Sequence, residues 1–355
     1  MRLGILMIPA AVFVLARAAA ADTTWVPAGN VSGEWNATGS PYMIQGDVTG
    51  SLNIGPGVTV FFTGFYGLSG SITALGAEGD SVYFTTDTLT NPARWKGLQV
   101  SGFRQFHYCV FEFVGDSTCA ALKAAGGQLQ LQHCSFRFNQ RQATYCQGAG
   151  LYLEGTTVYA TNCAFINCKG PYGGAAAVLY FCDSYFDDCL FQGNQAHHMG
   201  GAVDIWEYWE DDTTVFRRCQ FLYNRCDGDG GAVGVEIADP LFEECIFIGN
   251  SAGINGGAIY GQPGPYPTFV NCTLIGNQAG SYGGGMDFWG GSPVLRNCLI
   301  AENSANWGGG VSTGSGSLRI ERCTIVRNTA RSSYGGGLSG SAVWLTSSIV
   351  AFNLG

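Results

Sequence analysis

The sequence predicts an all-β chain built as a parallel β-helix, a β-solenoid with coils of about 25–30 residues. Three observations carry this. A phrase made of a cysteine, a short apolar stretch, an asparagine and a later glycine pair recurs along the chain. It reads "CLFQGNQAHHMGGAV" from Cys189, "CQFLYNRCDGDGGAV" from Cys219, "CIFIGNSAGINGGAI" from Cys245, "CTLIGNQAGSYGGGM" from Cys272, "CLIAENSANWGGGV" from Cys298 and "CTIVRNTARSSYGGGL" from Cys323. Aligned on its first residue, the repeat also begins at Cys109, Cys134, Cys163 and, with serine substituted, Ser348, at intervals of 25 to 30 residues. The apolar runs are short, rich in β-branched and aromatic residues, and bounded by Gly and Asn. Helical repeats need apolar residues at three-and-four spacing over ten or more positions, and leucine-rich repeats need their spaced leucines. A unit of this size holds two or three short strands with their turns, and such units stack about 4.8 Å apart.

The elements follow in order. Residues 1–21 read as an export signal: Arg2 precedes an apolar run from Leu3 to Leu15, and small residues end it before Asp22, with cleavage expected after Ala21. That run is too short to span a bilayer. Removing it takes away two cations and moves the formal charge from −9 to −11. Residues 22–104 form an N-terminal cap and shorter coils. Trp25 and Trp35 are expected to cover the open end of the core, and "PYMIQGDVTGSLNIGPGVTVFFTGFYGLSGSITALGAEGDSVYFTTD" alternates apolar and polar residues between Gly-rich corners. "TNPARWKGLQV" joins this part to the main repeat region, residues 105–355. The 54 glycines carry no three-residue period, which excludes collagen and leaves them to serve turns.

Column logic explains each letter of the phrase. Cysteine and the residue two further on share parity on one strand, so Cys189 with Phe191, Cys219 with Phe221 and Cys245 with Phe247 point inward together. Asn194, Asn224, Asn250, Asn277, Asn303 and Asn328 close that strand, where an amide satisfies turn backbone and bonds the equivalent Asn one coil away. The glycine pair supplies positive φ or close backbone approach at the next corner. Just before the cysteine, Asp187-Asp188, Arg217-Arg218 and Glu243-Glu244 fall on successive coils, so stacking in register alternates their charge.

The pairing of "FxxN" with "GGA[ILV]", as in "FQGN…GGAV", "FLYN…GGAV" and "FIGN…GGAI", resembles the repeats of chlamydial polymorphic outer-membrane proteins and of the broader bacterial right-handed parallel β-helix repeat family. The likeness covers about residues 105–355. It implies a right-handed coil and a secreted or surface-displayed protein, often a passenger or adhesin, and it supplies no catalytic residues to carry over.

Fourteen cysteines in an exported chain suggest a disulfide framework, but Cys109, Cys134, Cys163, Cys189, Cys219, Cys245, Cys272, Cys298 and Cys323 occupy one column. Column neighbours about 4.8 Å apart with parallel Cα–Cβ bonds exceed the roughly 3.8 Å Cβ separation of a disulfide, so these read as buried small hydrophobes. Cys119, Cys146, Cys168, Cys182 and Cys226 lie off the column. Cys119 and Cys146 fall near one corner of adjacent coils, where a bridge is open. Cys168 stands where other coils carry the corner Asn, so the amide ladder is expected to break there. No CxxC or Cys/His cluster points to a metal.

Fourteen of the 26 acids fall between Asp183 and Glu244, with His197 and His198 in the same coils at an exposed corner. After the glycine pairs come Asp204 and Trp206, then Glu236, then Tyr260, then Asp287 and Trp289, and by column they can share one outer face. Carboxylates beside aromatic platforms suit a glycan, because aromatic faces stack on sugar rings and carboxylates bond hydroxyls. A catalytic reading would pair two carboxylates. Asp204 and Asp287 are too far apart, at about 14 Å for three coils, whereas Asp204 and Glu236 sit on adjacent coils with a two-residue offset. The plainer alternative is a solvated acidic face with aromatics shielding strand edges. "EYWEDDTT", from Glu207 to Thr214, and "DGDGG", from Asp227 to Gly231, offer loop carboxylates for calcium without a known calcium-loop spacing. Local motifs of pectate lyases and polygalacturonases are missing.

These observations lead to an exported, non-enzymatic β-helix at the cell surface, outer membrane or outside the cell, used for display, adhesion or glycan binding. A polysaccharide lyase or glycoside hydrolase is the alternative. An acidic chain is a poor partner for phosphate backbones, so no nucleic acid is expected, and neither is a membrane span or a cofactor. The last phrase, "SSIVAFNLG", stops before a glycine pair, which suggests that a further C-terminal region caps the solenoid or attaches it to a surface.

Overall fold

Every described strand of this chain runs parallel to the strand one coil away, and the chain winds as a solenoid with no α-helix among the described residues. The computed structural model describes residues 23–115, 120–141, 148–171, 174, 177–206, 213–262, 264, 266–332 and 335–355. The expected export signal lies outside these residues. No helix among them is long and apolar enough to cross a membrane.

One coil shows the construction. Ser184–Asp187 is followed by a corner at Asp188, then Leu190–Gln192, a second corner at Gly193, the two-residue strand Gln195–Ala196, the glycine pair Gly200-Gly201, and Val203–Trp206. Strands like Leu190–Gln192 stack into a 14-stranded sheet, and strands like Gln195–Ala196 into a six-stranded one. The remaining wall begins as long strands, such as Leu151–Thr161, and then forks. Leu151 pairs with Ala177 and Val158 with Ser184, which start two separate ladders.

Parity sorts the core. The nine column cysteines are at most 3% exposed, and Phe111, Phe136, Phe165, Phe191, Phe221 and Phe247 form a continuous stack with centroids 4.6 to 4.9 Å apart. A second stack, Phe186, Phe216, Phe242 and Phe269, meets it edge-on. Offset and edge-to-face contacts of this kind add to plain area burial. Residues 22–41, expected to cover the open end, contribute the strands Thr24–Val26 and Gly29–Trp35, paired with Tyr42–Ile44 and Val48–Ile54. Trp35 is buried and stacks on Tyr42, while Trp25 is exposed. Trp95 of the joining segment is buried against Phe62. In the last coil Ile349, Phe352 and Leu354 are exposed.

Two corners do what the sequence does not announce. Asp188, Arg218, Glu244, Asn271, Asn297 and Arg322, each just before a column cysteine, hold φ between 51° and 56°. A left-handed conformation costs a non-glycine residue about 1–2 kcal/mol. Stacking offsets this by pairing the corner backbone across coils: Asp188 N–H donates to the Arg217 carbonyl and Arg218 N–H to that of Glu243. The outward charges also meet in register. Asp187, Arg217 and Glu243 are cross-strand partners, Arg217 Nε lies 2.8 Å from Glu243 Oε2, and Arg218 reaches both Asp187 and Asp188.

At the other corner a buried amide ladder runs from Asn194 through Asn224, Asn250, Asn277, Asn303 and Asn328 to Asn353. Each Oδ1 accepts the N–H and the Nδ2 of the Asn one coil earlier. At Cys168 the amide is lost, yet the backbone bond persists: Cys168 N–H donates to Asn194 Oδ1, and the thiol lies 3.9 Å from Asn139 Nδ2.

No column thiol takes part in a disulfide, nor does Cys168, Cys182 or Cys226, and all are buried. Each column thiol is within hydrogen-bond reach of backbone carbonyls, as Cys245 is to Phe216 at 3.3 Å, and burial holds the Cys245 thiol well above its ordinary pKa. Cys119 and Cys146 lie outside the described residues. Titration with a thiol reagent is therefore expected to leave the column cysteines unlabelled until denaturant is added. Rapid labelling of the folded protein, or a mass showing most of them oxidised in pairs, would refute the column.

Candidate functional site

On Val203–Trp206 the pleat sends Val203 and Ile205 into the core and Asp204 and Trp206 outward. Cross-coil registers then build two outward rows. Asp204, Gly234, Tyr260, Asp287 and Ser312 are successive partners in the first, and Trp206, Glu236 and Gln262 in the second. Trp289 follows the Phe288–Gly261 pair, donates its N–H to the Gly261 carbonyl and is 63% exposed. The six residues expected on one face are thus divided. Asp204 and Asp287 stand three coils apart with Gly234 and Tyr260 between them, while Glu236 is the diagonal neighbour of Asp204.

The first row is not the open face that outward parity implies. Asp204, Tyr260 and Asp287 are 6%, 3% and 5% exposed. The turn that leads into each glycine pair folds back over the strand and makes a crease. A Cβ at Gly234 would stand 2.4 Å from Met199 Cγ and 3.0 Å from Asp204 Oδ1, so glycine there leaves room for both side chains. The opposite bank carries the residue just before each glycine pair: Met199, Asp229, Asn255, Tyr282 and Trp307, linked through their backbones from coil to coil. Tyr282 and Trp307 stack at 4.8 Å. Asp229, Tyr282 and Trp307 join this site beyond the six residues expected there, and "DGG", "YGG" and "WGG" in one column are the sequence signal that marks them.

Burial sets the electrostatics. It raises the Asp204 carboxyl far above the usual carboxylate range, with the Glu236 charge adding to the effect, and Asp204 Oδ1 has no hydrogen-bond partner among the described residues. Burial lifts Asp287 to about 7, with Asp229 adding and the Ser312 hydroxyl opposing. Glu236 and Asp229 are raised by burial as well, Asp229 against the Asn255 N–H that donates to it at 2.9 Å. The Tyr260 phenol, which donates to Gln262 Oε1, is pushed up by burial and then by Asp229, Asp287 and Glu236. Burial thus favours the protonated form of every carboxyl along the crease, and a protonated carboxyl can donate a hydrogen bond as well as accept one.

In "DGDGG", Asp227 is taken by His197 at 2.6 Å and by Arg225 at 3.2 Å, and Asp229 faces the crease. No group of three or more His, Cys, Asp or Glu side chains among the described residues is arranged to hold a metal ion. Of "EYWEDDTT" only Thr213 and Thr214 lie within the described residues.

No curated protein matches the chain. A solved structure, the A-module of mannuronan C-5 epimerase AlgE4 from Azotobacter vinelandii, is 11% identical, with 94% of this chain and 89% of that one covered at a TM-score of 0.34. So low a score carries no argument about this site. The family model described as "Right handed beta helix region" matches residues 96–280, more than half of the sequence. With its parallel coils and inward columns already in view, the chain belongs to the right-handed β-helix family.

Proposed function

We propose that this protein is an exported, surface-displayed β-helix that binds a neutral, hydroxyl-rich glycan along the crease and does not turn it over. The observation that carries the reading is the accessible row of Trp206, Glu236 and Gln262 on successive coils, with Trp289 standing clear, flanking the buried Asp204, Tyr260 and Asp287. Rows along the axis present hydrogen-bonding groups about 4.8 Å apart, which suits an extended chain more than a single small molecule. The acidic surroundings disfavour a polyanionic ligand. The export signal and the FxxN/GGA[ILV] pattern support display at a surface.

On an array of neutral oligosaccharides the protein is expected to capture at least one ligand, and Trp206→Ala with Trp289→Ala to weaken that binding about ten-fold or more. The melting temperature of Trp289→Ala alone should move little, because Trp289 lies outside the core. Binding unchanged in this variant would remove the rows as the site. A second reading rests on Asp204 and Glu236, diagonal neighbours with one carboxyl held protonated beside another, the arrangement from which an acid and a base are made. Turnover of a bound polysaccharide that is abolished in Glu236→Gln, with binding retained, would favour that reading over the first.

A further inference from the structure

A second cleft, of about 520 Å³, opens on the face of the six-stranded sheet and is lined by Gln140, Arg141, Lys169, Gln195, His197 and His198 together with Gly170 and Pro171. No acid is among these residues, in a chain whose formal charge is −9. The arrangement follows from the ladder. Gln140 pairs with Lys169, Lys169 with Gln195 and Gln195 with Arg225, so four side chains with N–H donors succeed one another at about 4.8 Å per coil. Their neighbours Ala196 and Cys226 face inward.

The donors are also held in place. Arg141 is 4% exposed, and its Nη1 donates to the Gly148 carbonyl at 2.9 Å, which fixes the guanidinium against the wall. His197 has the parity of Gln195, and its Nδ1 is engaged by Asp227 Oδ2 at 2.6 Å, leaving the Nε2 edge on the side away from that carboxylate. Asp227, which is not part of the cleft lining, also meets Arg225 at 3.2 Å, so its carboxylate is shared between His197 and Arg225. Lys169 is exposed and makes no ion pair among the described residues.

We propose that this cleft binds a small oxyanion, a sulfate or phosphate group, either free or as a single ester on a sugar. Two positive charges, two imidazoles and two amides line a cleft with room for such a group and for the sugar that would carry it, and charge-assisted bonds from Lys and Arg to oxyanions are the stronger class of hydrogen bond. A nucleic acid or polysulfated chain is disfavoured, because the long-range field of the acidic chain repels a polyanion while a compact anion feels mainly the local donors. The proposal does not rest on the glycan reading of the crease, which lies past Met199 on the other side of the glycine corner.

The test is calorimetric titration of the full chain at low ionic strength with inorganic sulfate, galactose 6-sulfate and galactose. Saturable binding of inorganic sulfate or of the sulfated sugar is expected, and Lys169→Gln and His198→Gln should each weaken it about five-fold or more, while Arg331→Gln, an exposed cation elsewhere, leaves it unchanged. Sulfate and sulfated sugar binding alike identifies the oxyanion itself as the ligand, and binding of the sulfated sugar alone identifies the ester. No binding of either up to about 10 mM, galactose binding as well as its sulfate, or equal losses in Lys169→Gln and Arg331→Gln would overturn the proposal.

Discussion

Between pH 5 and pH 8 the wild-type protein is expected to lose stability that Asp287→Asn retains. The Asp287 carboxyl is held at about 7 by burial, with Asp229 adding, against an ordinary aspartate value of 3.8. Its folded value is raised, so between the two values the folded state keeps a proton that the unfolded chain has released. Stability falls wherever the unfolded state binds fewer protons, so the loss begins above the unfolded value and is complete once pH passes the folded one. A shift of this size corresponds to at most about 4 kcal/mol. Asparagine keeps the shape and can still bond Ser312, but it has no proton to lose. Asp204 is raised by burial in the same row and contributes in the same direction, so the variant should flatten the slope without abolishing it. The lowered carboxyls Asp47 and Asp188 act the opposite way, and only as pH falls toward and below the ordinary carboxylate range. Urea unfolding of both proteins at several pH values decides the matter. Parallel profiles from pH 5 to 8 would mean that Asp287 is ionised and solvated at neutral pH, and the crease would lose its donor.

Asn250→Ala should destabilise the solenoid by roughly 4 kcal/mol, because three buried groups lose their partners at about 1–3 kcal/mol each. Asn250 Oδ1 accepts from the N–H and the Nδ2 of Asn224, and its own Nδ2 donates to the Phe221 carbonyl and to Asn277 Oδ1. All of these lie in a fully buried column that no water can replace without opening the corner. Asn271→Gly offers the contrast. That asparagine is an exposed corner residue at φ 56°, where glycine relaxes the backbone and only the solvent-exposed bond from Asn297 Nδ2 is lost, and the change should stay within about 1 kcal/mol. Similar midpoints for the two variants in a urea titration would show that the amides are ornaments of the turn and not its support.

The repeat phrase carries most of the fold. Period, strand parity, the cysteine and phenylalanine columns, the Asn ladder and the alternating charges before the cysteine all concern contacts between equivalent positions one coil apart, and a single sequence contains both partners of each. Even the second phenylalanine stack was open to reading, since Phe186, Phe216, Phe242 and Phe269 each stand three residues before a column cysteine. The corners were less legible. Glycine marks one, but Asp188, Arg218 and Glu244 take left-handed backbone without any residue type to announce it, because their stability comes from cross-coil bonds made after stacking.

The candidate site divides along the same line. Sequence periodicity by itself determined that Asp204, Tyr260 and Asp287 share a row, since parity and coil period are local properties. Only the tertiary structure decided that this row is buried. Pleating makes a side chain outward with respect to its strand, but solvent access depends on what folds over it, here Met199 and the turn before the glycine pair. The same holds for the cleft at Lys169, whose donors come from coils about 25 to 30 residues apart and meet only when the coils stack. Burial, and with it the protonation state of a carboxyl, is a property of the closed crease and not of the repeat that writes it.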